Sequence, residues 1–446
     1  MILIFVSLTP YQPLCCGITF CTTVFYWSTA CPRGARGMEY SGILSSFPPG
    51  ILYAFAYGSA AFQQSHEEEE GEKHIQAAGD NNKKKHNQNE EGEEKMLDLV
   101  FVVRDSLSWH RENLIRNPSH YSFLGSAGPH LILWIQRRVK AFIYFNVVMD
   151  MRMTDGCDTS SSCVVNGFSQ SGQCNLHHHH VTSMKYGVIQ YEDLVRDLRT
   201  WDCLYVAGRL HKPVHVMMNN LLEDDDRLSD VMQALRQNER AGVAASLLLL
   251  MVQDSFTEDQ LFTTIAGLSY FGDFRMIIGE DRAKVRKIVH PQKHHFRKMY
   301  MGILEQDLLV NESYVYDPVA SAFHIPFTRS LIIRLISSLP DSLIQDMGGM
   351  EYLCHPLFHR KEGTLQGKEG MRQVRQELSH KVKKCITSIT WRSSLCQGIK
   401  GFFTTGFLKA IKYMCRKMNK MYLSIGVRGS LVSASPANTR SCNNNQ

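Results

Sequence analysis

The chain has 446 residues, 44% hydrophobic and 21% charged, with a net charge of +6. That length exceeds the roughly 250–300 residues at which one hydrophobic core stops growing, so two packed units plus tails are expected. The composition is that of a globular protein, no run reaches the length of a clean membrane span, and the 13 scattered cysteines exclude a disulfide-built scaffold and suit free thiols in a reducing compartment.

Residues 1–37 carry no charge before Arg33, and Pro10 and Pro13 break their apolar run. They lack the Arg-rich amphipathic character of a transit peptide, so Met38 is the expected start of the functional chain. Residues 51–57, ILYAFAY, read as a short buried strand closed by a Gly58-Ser59 turn. The stretch 65–95 alternates acidic blocks with Lys83–Lys85 and has almost no apolar side chains. It cannot offset the entropy of ordering, and it reads as a disordered insert within the first domain. A strand resumes over MLDLVFVV from Met96, with Asp98 near its start. A helix capped by Ser106 or Ser108 follows, carrying Trp109, His110 and Asn113, and then a strand over Ala141–Asn146. A second low-complexity insert spans 151–182. Strand KYGVI at 185–189, helix YEDLVRDLRTW and the segment LYVAGRLHKPVHVM complete a first domain over 38–220.

Beyond Glu223 the pattern turns helical, and 221–377 forms the expected second domain. Ala241–Val252 is an apolar stripe, and Ser255 with Glu258 has the spacing of a capping box ahead of Leu261–Leu268. Lys284–Leu304 and Thr328–Leu339 read as helices, the second stopped by Pro340. Strands thus fill the first half and helices the second, which predicts an α+β fold.

The chemistry-bearing feature is Tyr57-Gly58-Ser59 at the end of one hydrophobic strand with Asp98 on the next. A Gly-Ser turn lets backbone amides and a hydroxyl approach phosphates closely, and a strand-borne carboxylate can hold a divalent cation against them. Each half alone is equally an ordinary hairpin turn and an edge acid. His110 and His120, among aromatic residues, read as structural. Cys157, Cys163 and Cys174 with His177–His180 have no CxxC spacing and read as no metal site.

Several blocks occur in a characteristic order: AFAYGSAAFQQ, MLDLVFVV, SWHRENL, NPSHYSFL, IYFN, KYGVI, LYVAGRLHKPV, GLSYFGDFRMIIGEDRAKV, HHFRKMY and GIKGFFTTGFLKAIKY. Together, over about residues 40–425, they resemble the mitochondrial translocator assembly and maintenance family, a peripheral phosphatidate cytidylyltransferase. The resemblance implies a polymerase-β-like nucleotidyltransferase domain, a winged-helix-like helical domain, and a membrane-touching C-terminal segment. It implies condensation of CTP with phosphatidic acid to CDP-diacylglycerol and pyrophosphate, with Mg²⁺, on the matrix side of the mitochondrial inner membrane, feeding cardiolipin synthesis. By position, Gly58 and Ser59 should cradle the triphosphate and Asp98 should bind Mg²⁺. Ala60 stands where the family motif usually has glycine.

The wider nucleotidyltransferase pattern has two acids one residue apart, yet Val100 follows Asp98 at that spacing, and the third strand offers Asn146. A phosphomonoester nucleophile, with a second pKa near 6, arrives already ionised, so fewer acids suffice. Asp273, Glu280 and Asp281 are the candidates to complete a metal shell. Lys185, Arg209, Lys212 and Arg275 are the candidates for the phosphates, alongside Tyr57.

After Glu377 there are twelve Lys and Arg and no Asp or Glu. Residues 378–446 therefore read as a basic tail suited to an anionic surface. Over Gly398–Tyr422, apolar residues including Phe402, Phe403 and Phe407 recur at helical spacing, with Lys409 and Lys412 between them, which predicts an amphipathic helix on an anionic bilayer. No nucleic-acid partner is expected. Two other readings stay open: a non-catalytic membrane factor supporting mitochondrial protein import, and a nucleotidyltransferase acting on RNA ends.

Overall fold

The computed structural model describes residues 40–58, 61–62, 96–152, 181–219, 226–253, 255–278, 283–349 and 365–404. Ser59, Glu280, Asp281, Phe407, Lys409, Lys412, the 157–180 cysteines and histidines and most of both inserts lie outside them. The architecture is α+β with two sheets. The larger contains β1 (Ile51–Tyr57), β2 (Met96–Val103), β3 (Ile143–Phe145), β4 (Met149–Arg152), β5 (Val181–Gln190) and β6 (His215–Asn219). Its order is β3-β5-β2-β1-β6, with β4 also on β5; among the described strands only β2 and β5 run parallel. Helices α1 (Tyr40–Ser45), α2 (Ser106–Arg116), α3 (Pro129–Arg138) and α4 (Tyr191–Thr200) flank it. The second half holds α5 (Asp226–Leu250), α6 (Glu258–Gly267), α7 (Arg275–Ile278), α8 (Lys284–Val289), α9 (Lys293–Ile303), α10 (Arg329–Ser337) and α11 (Asp341–Asp346). A small sheet, β7 (Phe256–Thr257), β9 (Ala322–His324) and β8 (Val315–Asp317) in that order, sits among them, and α12 (Leu365–Thr404) closes the fold.

The central strands are near-continuous apolar runs because both faces of the sheet are covered. On one face, Ala56, Leu97, Leu99, Phe101, Tyr186 and Val188 pack on Phe47 and Trp109. On the other, Tyr53, Phe55, Val100 and Val102 join a single cluster that continues through α5, α6, α9, α10 and α12. The two expected domains therefore share one core, and the division expected at residue 377 falls inside the continuous helix α12.

Several element ends differ from expectation for local reasons. Asp105, not Ser106 or Ser108, caps α2: its carboxylate accepts from the Ser108 amide at 2.9 Å. The capping box lies two residues later than expected. Ser255 precedes the extended pair Phe256–Thr257, and it is Thr257 and Gln260 that exchange bonds. The expected helix over Lys284–Leu304 is interrupted between α8 and α9 at Pro291, which lacks the amide donor a continuing helix needs.

The forty-residue helix α12 changes character along its length. Its first half buries Val374, Leu378, Val382 and Ile386 against the core. Further along, the buried side is polar (Thr390, Ser393, Ser394, Gln397, Lys400 and Thr404), while Trp391, Leu395, Ile399 and Phe403 face outward at 39–53% exposure. The Lys400 ammonium reaches across to the carbonyls of Gln136, Val139 and Ile143 at 3.0–3.3 Å. Close approach also depends on glycine. A Cβ on Gly398 would lie 2.6 Å from the Phe274 ring, and one on Gly272, whose φ is +74°, would meet Thr387 at 2.6 Å. Among the described residues no helix is long and apolar enough to cross a membrane.

Candidate active site

Antiparallel pairing sets Tyr57 directly opposite Asp98, so the end of β1 presents its turn to the carboxylate. Gly58 follows at φ +92°, a left-handed conformation that favours glycine. The absent side chain matters as much as the angle, because a Cβ there would lie 2.9 Å from Asp98 Oδ2. The β2–β5 register places Lys185 beside Asp98 on the same face. Burial raises the Asp98 carboxyl above its ordinary value, while Lys185, Arg209 and Lys284 pull it back. The carboxylate is thus held at a desolvated position facing cations.

Tyr57 also lines a partly open cleft. Its floor is Tyr57, Val100, Ile143 and Phe145 from the sheet. One wall is the loop 201–212, through Leu204, Tyr205, Val206, Arg209 and Lys212; another is Ser269, Tyr270, Asp273 and Arg275 after α6; Thr390, Ser393 and Ser394 of α12 supply the last. The Arg209 guanidinium lies over the Tyr57 ring at 4.2 Å, and the Lys185 ammonium over Phe145 at 4.9 Å. Lys212 is buried and donates to the Gly208 carbonyl at 2.6 Å and Ser269 Oγ at 2.8 Å. Burial, with Arg209, Lys284 and Arg275 nearby, pushes its ammonium well below the usual lysine range. Tyr270 lies beneath both Lys212 and Lys284, at 4.9 and 5.8 Å. The cleft therefore gathers Arg209, Lys212 and Arg275, with only Asp273 as an acid in its lining, a field that attracts a polyanion.

Of the expected phosphate residues, Tyr57, Arg209, Lys212 and Arg275 line this cleft together, and Lys185 stands at its edge beside Asp98. One expected acid, Asp273, and Asn146, which stands where a third acid would be, are placed away from any metal shell. Asp273 is buried and engaged bidentately by Arg275, with contacts of 2.6–3.1 Å, so it orients that guanidinium. Asn146 turns to the opposite face of the sheet, where its amide donates to Tyr186 Oη at 2.7 Å. His110 and His120 belong to that same polar layer. His110 meets Tyr121 Oη at 2.8 Å and Gln136 at 2.9 Å, and burial lowers its pKa to about 4; His120 meets Tyr186 Oη at 3.1 Å.

Among the described residues no three His, Cys, Asp or Glu side chains gather into a cage for a metal ion. The corner nevertheless suits Mg²⁺ delivered with a nucleotide, since this ion commonly uses one or two carboxylates and completes its shell with phosphate oxygens and water. Gly58 leaves space against Asp98 Oδ2 that any side chain would fill.

Residues 40–420 match the family model described as phosphatidate cytidylyltransferase, mitochondrial. The chain belongs to this family. Relatives carrying the same name include proteins of Xenopus laevis, 34% identical over 87% of this chain and 96% of theirs, and Mus musculus, with the same identity and coverage. A Caenorhabditis elegans protein of that name is 30% identical over 86% of this chain and 99% of its own. For a member of the phosphatidate cytidylyltransferase family, the cleft holds several residues that the sequence alone does not single out. Tyr205, Tyr270 and Lys284 sit inside recognisable blocks, and the aromatic–basic alternation of LYVAGRLHK and GLSYFGDFR is the available signal. Thr390, Ser393 and Ser394 carry none, because their role depends on where α12 crosses.

Proposed function

We propose that this cleft binds CTP and transfers its cytidylyl group to phosphatidic acid, releasing pyrophosphate, as the family's name states for its members. The observation that carries the reading is the apposition of Gly58 and Asp98 next to Tyr57, which with Arg209 lines a cleft bearing several cations. In this reading β1–β6 with α1–α4 form the nucleotidyltransferase unit, and the helices around the small three-stranded sheet form the winged-helix-like unit.

The triphosphate lies along Arg209, Lys212 and Arg275, with Lys185 and Lys284 flanking Asp98. Arg275, held in one orientation by Asp273, offers a fixed fork to a phosphate, whereas Lys212 acts as a point charge. Asp98 would hold Mg²⁺, which supplies neutralisation of the phosphate charge when bound. An oxygen of the phosphatidate monoester attacks the α-phosphorus of CTP, the α–β bond breaks, and pyrophosphate leaves with the bonding pair. The attacking oxygen is already ionised near pH 7, since its second pKa is about 6. Asn146, on the far face, makes no contact with the cleft, and no general base is required there. The Gly58 turn, Ser59 included, contributes backbone and hydroxyl donors to the phosphates.

The acceptor is a membrane lipid, and the outward face of α12 supports a peripheral docking mode. Apolar side chains at Trp391, Leu395, Ile399 and Phe403 turned away from the protein, on a segment without acids, suit the headgroup region of an anionic bilayer. The basic residues beyond, including Lys409 and Lys412 beside Phe407, extend the same character in sequence. The reading places the protein on the matrix face of the mitochondrial inner membrane, upstream of cardiolipin.

Purified protein with labelled CTP, Mg²⁺ and phosphatidic acid liposomes tests this directly. Label is expected in the lipid; Asp98→Ala should abolish transfer while leaving liposome binding intact. Label in an RNA acceptor instead, or no affinity for CTP at all, overturns the reading. A kcat that stays flat above about pH 7 is expected for an ionised nucleophile.

A further inference from the structure

The wall that carries Arg209 and Lys212 is neither helix nor strand. Residues 201–212 run through a series of turns, with Trp201 and Leu204 in the left-handed region at φ 54° and 51°. Side chains other than glycine disfavour that region, so the loop does not hold this shape by local preference. Two buried polar residues from neighbouring helices grip it.

Asp197, on α4, directs both carboxylate oxygens into the loop. Oδ1 accepts from the amides of Cys203 and Leu204 at 3.1 and 2.9 Å and from the Cys203 thiol at 3.1 Å; Oδ2 accepts from the Ala207 amide at 3.1 Å. Asn238, on α5, holds the loop from the other side. Its amide donates to the Ala207 carbonyl at 3.0 Å, and its Oδ1 accepts from the Trp201 indole at 2.8 Å, with His211 Nε2 at 3.1 Å. Both side chains are fully buried. The peptide groups on either side of Ala207 are thus tied to two different helices. Directly beyond, the Arg209 and Leu210 amides bond the Val206 carbonyl at 3.0 and 3.1 Å. That turn starts at the clamped residues and ends at the guanidinium over Tyr57.

We infer that Asp197 and Asn238 are positioning residues: together they preset the 201–212 loop so that Arg209 and Lys212 stand in phosphate-binding geometry before any nucleotide arrives. The inference rests on the reading of the cleft as the CTP site. It adds that phosphate affinity there is set by two residues that touch no substrate. A preset loop spares the ligand the entropic cost of ordering it.

The test uses the full-length protein. Asp197→Asn and Asn238→Asp keep side-chain size while setting mismatched groups against the Ala207 peptide groups. Each is expected to weaken CTP binding about tenfold, the order for one buried charge-assisted hydrogen bond. The KM for phosphatidic acid in liposomes should stay unchanged. In a background lacking both clamped cations (Arg209→Ala with Lys212→Met), each should cost less than about twofold further, because residues acting through one another are not additive. A general loss of folding would move both substrates and would multiply in that background. Hydrogen exchange of wild-type residues 201–212 gives a second measurement that needs no variant: the loop is expected to be protected in the absence of nucleotide. The inference is overturned if the folded variants bind CTP like wild type, or if their costs multiply in full without Arg209 and Lys212. It is equally overturned if the loop exchanges as an open chain until CTP is added. Should both variants fail to fold, the exchange result decides. Absence of CTP binding by the wild type would sink the nucleotide reading instead, while loop protection would still decide for or against the clamp.

Discussion

On the proposed reading, Lys212 couples the cleft's affinity for CTP to its own proton. Burial comes first, then Arg209, Lys284 and Arg275, in pushing its ammonium well below the ordinary lysine value, with Asp273 opposing. A triphosphate would favour the charged form and raise that pKa again. CTP binding is therefore expected to take up protons, increasingly as pH rises past the free-protein value, and affinity should fall over the same range. Calorimetric titrations of CTP in buffers of different ionisation enthalpy measure this, and Lys212→Met should remove the uptake. At this scale the sequence is informative where chemistry and backbone coincide. The Gly58 turn and Asp98 are legible because a hydrophobic strand ends in a bend and the next strand begins with one acid. Asp273 reads as a metal candidate because its sequence position shows an acid but not the Arg275 fork that occupies it. Asn146 follows its strand as expected, but strand alternation turns it to the other face.

The element with the most consequences is α12. Lys400 sits among three carbonyls of the α3–β3 segment, and burial lowers its pKa to about 7, far below its value in the unfolded chain. Between those two values the unfolded chain binds more protons than the folded one, so this residue makes stability increase as pH rises through the window. Lys400→Met should flatten the slope of Tm against pH between about 7 and 9, and thermal melts across that range would show it. A slope identical to wild type would mean that the amine titrates as an exposed lysine. The sequence shows the acid-free, apolar-and-basic character of this region but not its direction. Periodicity alone cannot say which side of a helix faces the protein, and here the buried side of residues 390–404 is the polar one. Nor does it show that the helix begins at Leu365, because the apolar residues of its first half are diluted by lysines and glutamines.

Across the whole molecule, the core that begins on one face of the sheet continues without a break into α12. The fold class is legible because strand and helix patterns segregate along the chain; the sharing of one core is not, since it depends on which faces meet. Unfolding should therefore be a single cooperative transition rather than two. A protein ending at residue 364 would lose Val374, Leu378, Val382 and Ile386 from the core together with one wall of the cleft. Burying side chains of that kind contributes about 1.5–3 kcal/mol each, so such a truncation should lower Tm by well over ten degrees and abolish CTP binding, as scanning fluorimetry with and without nucleotide would reveal. A truncated protein that still melts like the full chain and binds CTP would contradict the shared core. The placement of Thr390, Ser393 and Ser394 also orders events in time. A nascent polypeptide presents Tyr57 and Arg209 long before these hydroxyls emerge, so the cleft has an open side until nearly 400 residues have been delivered. On the reading of the cleft as the CTP site, nucleotide binding is therefore expected only once the helix that also carries the outward apolar face has settled into place.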